Sequence, residues 1–210
     1  MPFEIPKLYP ITDRRLSGLS HAEQVARLVE GGATFIQLRE KRLAPREFYR
    51  EAEEALRVAR ARGARLIIND RVDIALAFGA DGVHLGQDDM PPEAARNVLG
   101  RRAVIGFSTH SVEQAIAAAR MPVDYVAIGP VFATRSKENP DPQVGLEGLR
   151  RVREAVGEAV TLVAIGGVTR ELAPSVLDAG ADSVAVISAL LRPKDSSEIT
   201  RLTRDFLAGL

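Results

Sequence analysis

Short β-branched apolar runs recur along the chain. Each is followed by a longer Ala/Leu/Arg/Glu-rich stretch whose apolar positions repeat at helical spacing. The apolar runs predict strands at 8–12, 34–38, 65–68, 82–85, 103–107, 124–128, 161–165 and 183–187. The periodic stretches predict helices at 21–30, 45–62, 72–78, 92–98, 112–119, 146–156, 170–178 and 197–208. Ser20 with Glu23 three residues later forms a capping-box start for the first of these helices. Gly31, Gly63, Gly79 and Gly180 stand where helices should stop, in the slot that favours a left-handed cap. One phrase recurs as EGGATFIQL, AFGADGVHL and DAGADSVAV: helix end, glycine, small residue, buried strand. It repeats a βα unit, with too few shared positions for a duplicated sequence.

Strict alternation of eight strands with eight helices calls for an α/β fold on a parallel sheet. An open doubly wound sheet expects a glycine-rich turn after its first strand, and Thr12-Asp13-Arg14-Arg15 has none. A closed (β/α)8 TIM barrel fits the count, and the 210 residues lie at the short end of that fold's range. Residues 1–210 therefore read as a single domain, with no linker, low-complexity tract or second unit.

Charge and composition narrow the partners. Lys and Arg together number 28 and so do Asp and Glu, and no basic block is present, which argues against nucleic acid. Absence of cysteine removes disulfides, thiolate metal sites and cysteine nucleophiles together. No apolar run approaches the ~20 residues a bilayer needs, and the first ten residues lack a signal-sequence pattern. The expectation is a soluble cytoplasmic protein without membrane or nucleic-acid partners, for which a homo-oligomer is compatible. Lysine occurs only at positions 7, 41, 137 and 194, an arginine bias that hints at heat adaptation.

In a barrel the chemistry sits where strands end at their carboxyl side. Asp13 follows the first strand, and the second ends in Gln37-Leu38-Arg39-Glu40-Lys41. Asn69-Asp70 follows the third, and His84-Leu85-Gly86-Gln87-Asp88-Asp89 closes the fourth. Ser108-Thr109-His110 follows the fifth, Thr134-Arg135-Ser136-Lys137 lies beyond the sixth, Gly166-Gly167 ends the seventh and Ser188 the eighth. Alternation allows Gln37, Arg39 and Lys41 to point inward together as a clamp on a multiply charged anion. Asp70 and Asp89, with Asn69 and Gln87 nearby, make a hard oxygen site suited to Mg²⁺. A competing role for Asp70 is to cap the next helix. Asp88 should point away from Asp89. Gly166-Gly167 with Ser188 suggests a second anion site after strands 7 and 8. His84 and His110 read as hydrogen-bonded structural histidines, Phe35, Phe78 and Phe107 as core, and 46–62 as a solvated helix face. No Ser–His–Asp order is evident.

The runs YPITD, GGATFIQLREK, LIINDRVDIALAFGADGVHLGQDDM, IGFSTH, DYVAIGPVFAT, VAIGGVT and AGADSVAVIS resemble the thiamine-phosphate synthase (thiamine-phosphate pyrophosphorylase) family from about residue 8 to 189. The resemblance implies a TIM barrel that joins 4-amino-2-methyl-5-pyrimidinylmethyl diphosphate to 4-methyl-5-hydroxyethylthiazole phosphate, giving thiamine phosphate and pyrophosphate. Carried over by position, the run Gln37-Leu38-Arg39-Glu40-Lys41 and Asn69 would bind the pyrimidine diphosphate, and Asp70 and Asp89 would bind Mg²⁺. Ser108 and Lys137 would contact the diphosphate or pyrimidine. Thr134, Ser136, Gly167, Ile187 and Ser188 would form the thiazole phosphate side, and Arg135 would also bind substrate. Arg39, Lys41, Ser108 and Lys137 would carry the chemistry. The loop departs from the family's Thr-x-Thr-Lys, having Ser136 in place of the second threonine. Departure of pyrophosphate ahead of attack by the thiazole nitrogen would need no protein nucleophile, in keeping with the missing triad. Two other readings are a thiazole tautomerase on the same barrel and a non-catalytic phosphate-binding barrel. The presence of Lys41, Asn69, Asp70 and Asp89 weighs against both.

Overall fold

The computed structural model describes residues 3–134, 141–192 and 195–210. Its strands are β1 (Leu8–Pro10), β2 (Phe35–Leu38), β3 (Arg65–Asn69), β4 (Gly82–Leu85), β5 (Val104–Thr109), β6 (Tyr125–Ile128), β7 (Thr161–Ile165) and β8 (Ser183–Val186). Among the described residues the helices are α1 (Arg14–Ser17), α2 (His21–Glu30), α3 (Pro45–Ala61), α4 (Val72–Phe78), α5 (Pro92–Leu99), α6 (Val112–Ala118), α7 (Gly145–Val156), α8 (Ala173–Asp178), α9 (Ser188–Leu191) and α10 (Ser196–Leu207).

All strand pairs are parallel and run in the order β1-β8-β7-β6-β5-β4-β3-β2. A single bridge between Ile11 and Gln37 brings β1 against β2 and closes the barrel. Ile11 N–H donates to the Val186 carbonyl at 2.9 Å and Thr12 N–H to the Gln37 carbonyl at 2.9 Å, so one short stretch joins both edges. The expected (β/α)8 barrel is what forms.

Side-chain alternation divides the apolar residues into two layers. Tyr9, Ile11, Phe35, Ile67, Tyr125, Val163 and Ala185 fill the barrel interior. Ile36, Leu38, Leu66, Ile68, Val126 and Val184 face outward, where they pack against the helices. Phe3 stacks on Tyr125 and lies tilted against Phe35 below the strands, and its carbonyl accepts from Thr161 Oγ1 at 2.6 Å. No helix among the described residues is long and apolar enough to cross a membrane.

Several boundaries differ from the sequence reading. β1 is shorter, because Thr12 and Asp13 are already committed to the turn in which Asp13 caps α1. β5 runs further, so Ser108 and Thr109 are strand residues. The left-handed glycine after α2 is Gly32 (φ 105°), not Gly31. Gly31 is needed for packing instead: a Cβ there would lie 2.4 Å from Thr203 Cβ on α10.

Candidate functional site

The polar ends of the strands meet in one cavity of about 600 Å³ at the carboxyl side of the barrel. On β2 the pleat turns Phe35 and Gln37 inward, and Arg39 and Lys41 continue on the cavity side beyond the strand. Leu38 and Glu40 do not line it. Leu38 is fully buried in the outer layer, and Glu40 accepts from the backbone N–H groups of Arg42 at 2.7 Å and Leu43 at 3.2 Å. The side chains of these two residues thus face away from the cavity, and only their backbone continues along its wall between Gln37, Arg39 and Lys41.

A buried frame sets the Arg39–Lys41 segment. Arg39 N–H donates to Thr12 Oγ1 at 3.2 Å, and that hydroxyl also bonds His21 Nδ1 at 2.8 Å. His21 Nε2 lies 3.3 Å from the Glu40 carboxylate. Burial pushes the His21 ring below the ordinary histidine range, with Glu40 opposing. Asp13 Oδ2 sits 3.6 Å from the Arg39 guanidinium.

Asp70 is the one non-glycine residue at positive φ (62°) among the described residues. A left-handed aspartate is uncommon and marks a position whose geometry the surroundings impose. Its carboxylate accepts from Lys41 Nζ, and α4 starts at Val72 after the N-cap residue Arg71, which makes no side-chain cap bond. Asp70 is therefore directed to the cavity and does not serve as a helix cap. Asp89 Oδ2 accepts from Gly86 N–H at 2.7 Å. Burial pushes the Asp89 carboxyl up; the Gly86 bond opposes this, and Asp70 beside it adds to the rise. A cation between the two carboxylates would relieve this rise in Asp89. They form a pair and not a cage: no group of three or more His, Cys, Asp or Glu residues with metal-holding geometry occurs among the described residues. Mg²⁺ commonly takes one or two carboxylates together with waters and substrate phosphate, so the donor set fits. Asp88 is exposed at the cavity mouth.

Asn69 is buried at the cavity wall, and its Nδ2 is without a hydrogen-bond partner. Such an orphan donor is costly unless a ligand satisfies it. His84 bonds Tyr125 OH through Nδ1 at 2.9 Å and Ser108 Oγ through Nε2 at 2.8 Å. Desolvation pushes its pKa down to about 4, so the ring is neutral. His110 donates from Nδ1 to the Gly129 carbonyl at 2.6 Å, with Asp141 3.5 Å away.

The opposite wall is built from β6, β7 and β8. Gly129, Thr134, Gly166, Gly167, Ile187 and Ser188 all line it. The loop after β6 docks on β7, with Val131 N–H donating to the Ile165 carbonyl at 2.9 Å and Phe132 N–H to Gly166 at 3.0 Å. Ser188 opens α9, a one-turn helix too short to show a period in the sequence. Of the expected residues, Gln37, Arg39, Lys41, Asn69, Asp70, Asp89, Ser108, Thr134, Gly167, Ile187 and Ser188 share the cavity. Arg135, Ser136 and Lys137 lie outside the described residues. Tyr9, Tyr125, His21 and Thr12 were missed as supports, since each reads as strand or helix residue by pattern.

Residues 8–190 match the family described as thiamine monophosphate synthase. The chain is 49% identical over 190 residues to the thiamine-phosphate synthase of Clostridium novyi, covering 90% of this chain and 92% of that one. It is 49% identical over 195 residues to that of Koribacter versatilis, covering 90% of each. Among solved structures, thiamine phosphate pyrophosphorylase from Pyrococcus furiosus superposes with a TM-score of 0.83 at 40% identity, covering 96% of this chain and 95% of that one. The chain belongs to the thiamine monophosphate synthase family.

Proposed function

We propose that the protein condenses 4-amino-2-methyl-5-pyrimidinylmethyl diphosphate with 4-methyl-5-hydroxyethylthiazole phosphate, releasing thiamine phosphate and pyrophosphate, with Mg²⁺ as cofactor. The observation that carries this reading is the convergence of Arg39, Lys41, Asn69, Asp70 and Asp89 on one cavity whose other wall holds Gly167, Ile187 and Ser188. One side suits a diphosphate and the other a monophosphate.

The C–O bond between the pyrimidinylmethyl carbon and the diphosphate breaks, and its electron pair leaves with pyrophosphate. The aminopyrimidine stabilises the cation left behind, and the thiazole nitrogen donates its lone pair to form the new C–N bond. Arg39 and Lys41 spread the charge that develops on the leaving group. Asp70 and Asp89 would hold Mg²⁺, which would supply further positive charge to the leaving group. Lys41 also pairs with Asp70, so a single ammonium neutralises carboxylate and substrate oxygens alternately. Asn69 offers its unpaired Nδ2 to the pyrimidine diphosphate, and Ser108 borders the same space. In keeping with the resemblance, Lys137 serves the leaving group, and Thr134 and Ser136 serve the thiazole phosphate. Phosphorylated substrates do not cross membranes unaided, so we assign the reaction to the cytoplasm that makes them.

The direct test mixes both substrates with Mg²⁺ and measures thiamine phosphate. Product should accumulate with an equal amount of pyrophosphate, and EDTA should abolish it. Asp89→Ala should lose about 10²–10³-fold in kcat while remaining folded. No product from the wild-type chain overturns the reaction, and full Asp89→Ala activity with chelator present overturns the metal.

A further inference from the structure

We infer that Tyr9 and Tyr125 are positioning residues that fix the tautomer of His84 and so oblige Ser108 to present its hydroxyl proton to an acceptor atom of the pyrimidine diphosphate. The inference rests on the proposed reaction for the ligand's name, but the proton order follows from the protein alone.

Five side chains form one unbroken line through the barrel interior. Gln37 Nε2 lies 3.1 Å from Tyr9 OH, and Tyr9 OH 2.9 Å from Tyr125 OH. Tyr125 OH is 2.9 Å from His84 Nδ1, and His84 Nε2 is 2.8 Å from Ser108 Oγ. Tyr9 and Tyr125 are almost completely buried, so water does not complete their bonding.

With the Gln37 amide nitrogen turned toward Tyr9, satisfying every group leaves one arrangement. The Gln37 amide nitrogen can only donate, so Tyr9 oxygen accepts from it. Tyr9 must then place its own proton somewhere, and Tyr125 oxygen is the acceptor within reach. Tyr125 in turn gives its proton to His84 Nδ1. With Nδ1 accepting, the ring proton of neutral His84 is on Nε2 and donates to Ser108 Oγ. The serine hydroxyl is left with its proton free, facing the cavity that Ser108 lines. At the other end Gln37, also on the cavity wall, keeps its carbonyl oxygen available as an acceptor.

The consequence is a selective one. A serine hydroxyl normally rotates between donor and acceptor, and a ligand must choose for it. Here the choice is made before binding. A ring nitrogen or a phosphate oxygen meets the serine's free proton, whereas an N–H group at the same place must compete for the one lone pair that His84 leaves and strands that proton. Two phenols with no contact to the Arg39–Lys41 end therefore set the polarity of a substrate contact.

The experiment reads the tautomer first. In ¹⁵N-labelled wild-type protein without substrate, long-range ¹H–¹⁵N correlation should show His84 Nδ1 unprotonated and Nε2 protonated, with the three histidines assigned through single His→Gln variants. Nδ1 protonation in the wild type overturns the inference. Tyr125→Phe removes the donor to Nδ1 and should yield mixed tautomers together with about a tenfold loss in kcat/KM for the pyrimidine diphosphate. KM for the thiazole phosphate should not move. Tyr9→Phe leaves Tyr125 able to donate and should change both readouts less. Inhibition by inorganic pyrophosphate and by the 5-hydroxymethyl aminopyrimidine then separates the sources: the inhibitor that weakens in Tyr125→Phe carries the acceptor. Unchanged inhibition by both, with an unmoved tautomer, overturns the role of Tyr125. If Tyr125→Phe does not fold, the wild-type spectrum and Tyr9→Phe still decide. Absence of thiamine phosphate formation would remove the reaction and leave the tautomer measurement standing.

Discussion

A histidine held at both ring nitrogens in a dry interior resists protonation, and His84 shows what this does to stability. Its pKa falls to about 4 in the fold, against about 6.5 in an unfolded chain. Between those values the unfolded state binds the extra proton, so stability rises with pH. The contribution is fully present above about pH 6.5 and is lost as pH falls toward 4, reaching about 3 kcal/mol at 1.36 kcal/mol per unit. His21, also pushed down by burial, adds in the same direction. Thermal melts from pH 7 to pH 4 should fall steeply in the wild type and less so in His84→Gln, whose side chain does not titrate. Parallel curves would show that His84 is not what acid attacks. The residues that share the cavity were legible at this scale because polar groups at strand ends stand out against apolar runs. Tyr9 and Tyr125 were not, because a phenol inside LYPIT or DYVAI reads as one more buried strand residue.

Among elements, the strands and the long helices were legible and the short ones were not. α1 and α9 each have four residues, about one turn, over which no period can repeat. Their existence is decided by Asp13 capping the first, and by the chain's turn out of β8 for the second. Loop-to-strand docking was likewise invisible. Gly166-Gly167 invites reading as a flexible anion cradle, yet the structure gives it a second duty. A Cβ on Gly167 would lie 2.5 Å from the Ala133 carbonyl and 2.8 Å from Phe132 Cβ, at a φ of 67° that disfavours side chains. Gly167→Ala should therefore displace the loop after β6, whose Thr134 shares the cavity with Ser188. KM for the thiazole phosphate should rise at least several-fold, while KM for the pyrimidine diphosphate changes little. Equal rises in both would show that the loop serves the whole cavity and not one wall.

Across the whole molecule one device recurs at the amino-terminal ends of the strands, far from the cavity. Asp81, Asp124 and Asp182 each precede an even-numbered strand and accept from a backbone N–H of the strand before it: Leu66 at 2.8 Å, Ile105 at 2.7 Å and Leu162 at 2.7 Å. An arginine from the preceding odd-numbered helix then ties down the connecting carbonyls: Arg60 those of Phe78 and Gly79, Arg96 those of Gly100, Ala103 and Pro122. Arg153 does the same for Gly157, Val160 and Gly180, and bonds Asp182 at 2.6 Å. Two of the recurring phrases, AFGADGVHL and DAGADSVAV, contain Asp81 and Asp182 of this unit, whereas EGGATFIQL has Thr34 at that position, Asp124 lies outside the phrase, and the distant arginines leave no trace in it. Barrels concentrate activity at one end and stability at the other, so the two should separate by mutation. Arg153 is 8% exposed, and its removal leaves three carbonyls without this donor and Asp182 with only the Leu162 N–H. Breaking a fully buried pair costs about 3–5 kcal/mol, but the half-exposed Asp182 regains water, so Arg153→Ala should cost about 2–3 kcal/mol. That corresponds to a Tm lower by roughly 5–10 °C in a chain of this size. Arg153→Lys should recover little, because one ammonium cannot span carbonyls that the planar fork reaches together. Arg201, which pairs with Glu198 and Asp205 on the exposed face of α10, serves as the contrast, and Arg201→Ala should change stability by about 0.5 kcal/mol or less. At a temperature where all three variants are folded, kcat and both KM values should stay within about twofold of wild type. A lower kcat in folded Arg153→Ala would mean that the floor of the barrel is coupled to the chemistry at its mouth.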